Sequence, residues 1–277
     1  MVLVTAHRGF SSKYPENTLL SIRKAIDLGA EWVEVDVWLS LDHHVIVFHD
    51  KSLDRTTNGK GRIAWKTLKE IKKCRTKKRN QQIPVLEEVL ELIKKSKTKL
   101  NVEIKTIWAA KPVADLIKKC KMEQKVMVSS GKINALRIVK HEIPSLKTAY
   151  VFFISNNPRW NYFVSSLAKL SFTLTRFVVI LVAKSAEVDN VHLSYPFATK
   201  AFIKRLHRNG YKVHVWVVNT KALMKKLIKR KVDGIITNHP DKLKKLLRKV
   251  NTKKKKSRRI SLKRLNFIGH RRKKKKK

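Results

Sequence analysis

Eight short runs rich in β-branched residues are spaced along residues 2–237 with helix-patterned segments between them, and this alternation constrains the fold more than any other feature. The runs are Val2–Ala6, Trp32–Val37, Lys99–Lys105, Lys125–Ser129, Lys147–Phe152, Asn190–Ser194, Lys212–Val218 and Asp233–Thr237. Helical spacing marks Pro15–Leu28, Val85–Lys95, Val113–Lys121, Ile133–Lys140, Thr199–Arg208 and Lys221–Arg230. The first of these opens on Pro-Glu-Asn-Thr, with an acid in its first turn, and closes on Gly29, as helices commonly do. Strand–helix repetition of this kind builds a parallel sheet. Eight such units predict an α/β fold of (β/α)8 TIM-barrel type, with the active site at the C-terminal ends of the strands. A doubly wound open sheet is the alternative, but no Gly-rich phosphate loop follows the first run, which disfavours it. The barrel is expected over residues 1–250, followed by a polybasic, disordered tail over 251–277.

One connection breaks the alternation. Val45–His49 follows Trp32–Ser40 after only a few residues, too few for a parallel crossover. It must return antiparallel, as a hairpin extension after the second strand that turns near Leu41-Asp42-His43. Pairing about that turn sets Asp36 opposite or nearly opposite Phe48 and His49. Side chains alternate along a strand, so Glu34 and Asp36 share one face and His49 is delivered close to both.

Placing the polar residues at strand ends assembles a constellation. His7 and Arg8 leave strand one, Glu34 and Asp36 line strand two, His49 returns on the hairpin, and Glu103 and Lys105 alternate along the next strand. Barrel interiors are ordinarily filled by Val, Ile and Leu, so three inward carboxylates without a counter-charge would be heavily penalised. A divalent cation resolves this, and hard oxygen ligands suit Mg²⁺ or Ca²⁺. The two histidines can then serve as general base and general acid, while Arg8 and Lys105 meet phosphate charge. Singly, each residue has a plainer reading: Glu103 could pair with Lys105 or Arg8, and a lone strand histidine is usually structural. Five such residues at neighbouring strand ends outweigh those readings. The plainer one is kept for His43 and His44 in the turn, His141 and His207 near helix ends, and His192 and His214 in strands.

These residues fall in motifs that resemble the glycerophosphodiester phosphodiesterase family. His7-Arg8-Gly9 with Pro15-Glu16-Asn17-Thr18 is similar to its opening motif, Glu34-Val-Asp36-Val to its metal-binding strand, and Val47-Phe48-His49-Asp50 to its second histidine motif. Leu53–Gly59, Ile83–Glu88, Val102–Lys105, Val215–Asn219 and Asp233–Thr237 continue the likeness in order, over roughly residues 4–241. The resemblance implies hydrolysis of a glycerophosphodiester to glycerol 3-phosphate and an alcohol. It implies that Glu34, Asp36 and Glu103 hold Ca²⁺ or Mg²⁺, that His7 and His49 are the acid/base pair, and that Arg8 and Lys105 bind phosphate. Trp216 would wall the glycerol pocket, and the glycerol 2-hydroxyl would serve as an internal nucleophile. A lysophospholipase D using the same site is the near alternative; an inactive polybasic membrane-binding module is the distant one. Three departures stand out: Ser40 for a common Thr, His43-His44 for a turn Gly, and Asn238 for a frequent Asp. None is expected to touch a metal ligand. No cap domain is inserted before the third barrel strand, so a roof is sought within Phe152–Val182. The Phe152-Phe153-Ile154 and Pro158–Phe163 aromatics suit a pocket mouth, whereas Ser165–Val182 reads as a βα loop and the fifth barrel helix.

Charge then limits partners. Lys and Arg number 65 against 20 acids, a net charge of +45. Residues 251–277 hold 15 of those bases and no acid, leaving +30 on the body. Such a field attracts polyanions. With a lipid-derived substrate, peripheral contact with an anionic membrane surface ranks above nucleic acid, for which no specific site is expected. A hydrophobic content of 43% excludes a mainly disordered chain. No charge-free apolar stretch reaches the ~20 residues of a spanning helix. The start of the chain lacks a basic leader and an h-region, so a cytoplasmic enzyme is expected, peripheral at the inner membrane surface. Cys74 and Cys120 have no metal or redox spacing and read as reduced thiols.

Overall fold

The computed structural model describes residues 2–152, 172–250 and 252. Its strands are β1 (Leu3–His7), β2 (Trp32–Leu39), β3 (Val45–Val47), β4 (Lys99–Ile104), β5 (Val126–Ser130), β6 (Lys147–Phe152), β7 (Asn190–Ser194), β8 (Lys212–Trp216) and β9 (Gly234–Thr237). All but β3 run parallel. The hydrogen-bonded order β1-β9-β8-β7-β6-β5-β4-β2 closes through a β1–β2 pairing into the eight-stranded barrel. The helices are α1 (Leu19–Asp27), α2 (Leu68–Lys73), α3 (Leu86–Lys94), α4 (Ala110–Cys120), α5 (Ile133–Glu142), α6 (Phe172–Ser185), α7 (Lys200–Arg208), α8 (Lys221–Lys229) and α9 (240–250).

Strands β2 and β4 put their large aliphatic residues on the side that the helices cover. Val33, Val35 and Val37 of β2 and Leu100, Val102 and Ile104 of β4 are buried there. Helix α3 answers with Leu86, Val89, Leu90 and Ile93, and α4 with Ala110, Val113, Ala114 and Ile117, the spacing of a single helical face. Parallel partners in register share a side. His7 with Glu34 and Asn101, Asp36 with Glu103 and Ser129, and His192 with His214 and Gly234 therefore all point inward. The interior thus departs from the Val/Ile/Leu filling expected: Thr5, Asn101, Ser129, Asn190, His192 and His214 are buried polar residues within it. The two histidines stack with ring centres 5.1 Å apart. Only glycine fits at 234, since a Cβ there would meet His214 Nδ1 at 2.5 Å.

The first helix begins later than its sequence pattern suggests. Thr18 caps α1, its hydroxyl accepting from Ser21 N at 3.2 Å, and Pro15-Glu16-Asn17 form the turn before it, with Asn17 at φ 55°. Those polar residues are held by the site rather than by the helix. The β2–β3 hairpin forms as expected: Val37 pairs with Val47, and Phe48 N donates to Asp36 O at 2.9 Å. Residues 50–85 then make an excursion with its own small core of Ile46, Phe48, Leu53, Ile63, Ile71 and Ile83. The chain between Phe152 and α6, where the aromatic roof is expected, lies outside the described residues. So does nearly all of the tail.

Candidate active site

Glu34 and Asp36 alternate on β2, and register sets Glu103 of β4 beside Asp36. One carboxylate oxygen from each lies within 4.8 Å of the others. Glu34 is 2% and Asp36 1% exposed. Glu34 Oε2 accepts from Arg8 N at 2.9 Å, while its Oε1 has no protein partner. Asp36 is held from three sides: Asn17 Nδ2 at 2.9 Å and Arg8 Nε at 3.1 Å on one oxygen, Lys105 Nζ at 2.7 Å on the other. Lys105 also contacts Glu103, so the pairing that the plainer reading allowed is present within the cluster.

The electrostatics separate the carboxylates. Burial, then the charges of Asp36 and Glu103, push Glu34 well above the ordinary range. Burial works the same way on Asp36, but Lys105 and Arg8 outweigh it and hold that carboxyl low. Two cations therefore satisfy Asp36, and Glu34 keeps an oxygen and a charge that the protein does not compensate. Three converging carboxylates with one unpartnered, buried oxygen suit a hard divalent cation.

Two histidines flank the cluster, and their supports differ. His7 leaves β1 with Nε2 3.9 Å from Glu34 Oε2. Its Nδ1 lies 2.6 Å from Asn238 Oδ1, and Ser11 Oγ sits 3.1 Å from that same oxygen. An amide oxygen only accepts, so it fixes the proton on Nδ1 and leaves the Nε2 lone pair free. Burial, then the nearby Arg8, lower the His7 pKa to about 4. His49 instead has Nδ1 2.6 Å from a carboxylate, Asp50 Oδ1. Trp38 Nε1 donates to its carbonyl at 2.9 Å, anchoring it to β2. Asp50 is itself held low: burial opposes, but bonds from Arg55 and His49 prevail. Arg55 also reaches Glu16 at 2.6 Å, and Glu16 binds Arg8 at 3.0 Å. A continuous chain of pairs thus joins the two histidine loops.

A pocket of about 300 Å³ at the C-terminal face is lined by His7, Arg8, His49, Glu103, Lys105, Lys132 and Trp216. Glu34 and Asp36 do not line it themselves but contact residues that do, Glu34 reaching His7 and Asp36 reaching Arg8 and Lys105. All eight residues singled out from the sequence therefore converge. Five that were not singled out belong with them: Lys132, Asn17, Asp50, Arg55 and Asn238. Lys132 stands just past β5, where position alone marks a candidate; Asn17 and Asp50 lie inside quoted motifs. Asn238 was read as a departure remote from the metal ligands. It touches none of them, yet it holds His7.

The profile of the glycerophosphoryl diester phosphodiesterase family matches residues 7–242. A glycerophosphodiester phosphodiesterase of Caldanaerobacter subterraneus subsp. tengcongensis is 34% identical over 258 residues, 89% of this chain and 98% of the relative. A crystal structure of the Thermotoga maritima glycerophosphodiester phosphodiesterase superposes with TM-score 0.71 at 29% identity, covering 89% of this chain and 98% of that one. An Oleispira antarctica phosphodiesterase, solved with its product sn-glycerol 3-phosphate, gives 0.73 at 26% identity, over 88% and 96%.

Proposed function

The chain belongs to the glycerophosphoryl diester phosphodiesterase family, and from that premise we propose that it hydrolyses glycerophosphodiesters to sn-glycerol 3-phosphate and an alcohol with the residues of the β-strand rim. One observation carries this assignment of roles: His7 and His49 line a single pocket with Arg8 and Lys105, above the buried acidic cluster.

Glu34, Asp36 and Glu103 hold a divalent cation, Ca²⁺ or Mg²⁺. When bound, that ion neutralises charge on the phosphoryl oxygens and polarises them. Arg8, Lys105 and Lys132 draw the phosphodiester into the pocket and orient it, and Trp216 packs against the glycerol carbons. His7 is the general base. Neutral, with Nδ1–H committed to Asn238, it accepts at Nε2 the proton of the attacking hydroxyl, the glycerol 2-hydroxyl or water. His49 is the general acid. Asp50 accepts from its Nδ1–H and orients the ring, and the proton passes from Nε2 to the alcohol oxygen as the P–O bond to that alcohol breaks. Holding the 2-hydroxyl near phosphorus makes the first attack intramolecular. The cyclic phosphate that results is then opened by water, which adds to phosphorus as the bond to the 2-oxygen breaks. The histidines' roles are reversed in this step: His49 takes the water's proton and His7 returns one to the 2-oxygen.

The support for cytoplasmic residence is two free cysteines and a net charge suited to an anionic inner leaflet. Among the described residues no helix is long and apolar enough to cross a membrane. The 15 bases of 251–277 add to that attraction, and no specific nucleic-acid partner is assigned. The test is a panel of glycerophosphocholine, glycerophosphoethanolamine and glycerophosphoglycerol with Ca²⁺, Mg²⁺ or a chelator. Release of glycerol 3-phosphate that the chelator stops is expected. Cleavage on the other side of phosphorus, giving free glycerol, would contradict the assignment.

A further inference from the structure

The rim of the pocket carries exposed apolar side chains that the reaction does not use. Among the described residues the most exposed large hydrophobics fall in two places. Phe177, Val178 and Leu181 lie on α6; Leu41, Trp65, Trp108 and Tyr195 lie in loops on the C-terminal side of the strands. None lies in a loop feeding the strands' N-terminal ends, the opposite face of the same barrel.

Position and exposure agree. Trp108 is 77% exposed, three residues beyond Lys105, which lines the pocket. Tyr195, 48% exposed, directly follows Ser194, the β7 partner of Trp216. Trp65 is 67% and Leu41 57% exposed, and the two are tied together by Leu41 N donating to Lys66 O at 2.9 Å. In the closed strand order β2 stands opposite β7 and next to β4. The three aromatic sites therefore bracket the mouth instead of forming a patch at one side of it.

The same rim is basic. Residues 50–85, which leave the hairpin at the catalytic end and return to α3, hold 12 Lys or Arg and 3 Asp or Glu. Arg62 lies over the Trp65 ring at 4.7 Å. Amphipathic Trp and Tyr among cations are what a lipid headgroup layer accommodates, and a cluster of bases matches anionic lipid phosphates. A protein partner fits less well, because lysine is depleted from protein interfaces.

We propose that the C-terminal rim docks on an anionic lipid bilayer, with Trp65, Trp108 and Tyr195 at headgroup depth and residues 50–85 over the phosphates, so that the pocket opens onto the membrane. This rests on the reading of that pocket as the active site. A diester that keeps one acyl chain then reaches the histidines from the leaflet without first dissolving. Loss of the three aromatic side chains weakens docking at least about tenfold, since each removes apolar area from the lipid contact. It leaves the catalytic groups untouched.

The experiment uses the full chain with vesicles of phosphatidylcholine alone, or phosphatidylcholine with phosphatidylserine, and with brominated acyl chains as quenchers of tryptophan fluorescence. The wild type should sediment with the anionic vesicles and be quenched there, and do neither with the zwitterionic ones. The combined W65A/W108A/Y195A variant should lose the quenching and most of the binding, yet turn over water-soluble glycerophosphocholine at the wild-type rate. Absence of quenching in the wild type, or equal quenching in the variant, would overturn the proposal. So would full displacement by RNA at the same salt, or a dimer in solution that disperses in the variant. Failure to hydrolyse any soluble diester would instead strike the enzymatic reading alone.

Discussion

Glu34 sits among like charges with one oxygen unpartnered, so its neutral isostere separates the cation's contribution from the fold's. Glu34→Gln keeps the acceptor for Arg8 N and removes the buried charge. Metal-free, the variant should be more stable than the wild type by roughly 1–3 kcal/mol. Added Ca²⁺ or Mg²⁺ should raise the melting temperature of the wild type only. Equal shifts in both proteins would remove Glu34 from the ligand set. Asn238 tests the histidine asymmetry. An Asp there would stabilise the His7 imidazolium, so the acidic limb of kcat/KM should move to higher pH. Asn238→Ala should slow turnover by less than the ~10²–10⁴ of losing a general base outright. An acidic limb unmoved by Asn238→Asp would mean that His7 is not the base. His214 belongs to the fold instead: burial lowers its pKa from 6.5 to about 4. The unfolded chain therefore binds a proton first, and stability falls as pH drops from 6.5 towards 4, by about 3 kcal/mol at most. Asp36, held low, contributes stability that is lost only below the ordinary Asp pKa near 3.8, so the two windows separate. Urea midpoints at pH 7.5 and 4.5 should differ less in His214→Gln than in the wild type; an unchanged difference would assign the acid sensitivity elsewhere.

At the scale of elements, the hairpin was legible because its link is too short to be anything else, and that one constraint placed His49 beside Asp36. The eight barrel strands were legible because β-branched residues mark them. Their interior was legible only in part. The inward carboxylates of β2 and β4 were read, but Thr5, Asn101, Asn190, His192 and His214 were not read as interior residues. Alternation shows that a strand has two faces, while the closed register decides which face is apolar. In β2 the valines go outward and the acids inward. The start of α1 was misread because Pro15-Glu16-Asn17 has the composition of a helix N-terminus, while Asn17 is spent on Asp36 and Glu16 on Arg8 and Arg55. Residues 50–85 carried no periodic signal, yet they supply Arg55 and a separate small core. Ile63 is fully buried there and lines no part of the pocket. Ile63→Ala should cost about 2–5 kcal/mol and, by loosening the hairpin that carries His49, lower kcat with little change in KM. Urea denaturation alongside steady-state kinetics checks both, and full activity in a destabilised variant would show that the hairpin stands without this core.

Over the whole molecule, the positive charge is spread widely, but the chemistry gathers at one end. The barrel presents its strand ends, its acidic cluster, the exposed Trp65, Trp108 and Tyr195 and its basic excursion on the same face. Membership of the family and the fold were legible from ordered motifs; the partner of His7 was not, because it depends on the last strand closing against the first, a contact between Asn238 and His7 that is 231 positions apart. The central claim is that this rim hydrolyses glycerophosphodiesters with His7 and His49 as base and acid. It is tested most directly by measuring glycerol 3-phosphate released from glycerophosphocholine, with Ca²⁺ or Mg²⁺ supplied, by the wild type, His7→Ala and His49→Ala. The account predicts release by the wild type and a fall of about 10²–10⁴ in each variant, while cation-induced thermal stabilisation persists in both. No glycerol 3-phosphate from the wild type with either cation, or a His49→Ala variant that turns over at the wild-type rate, would contradict it.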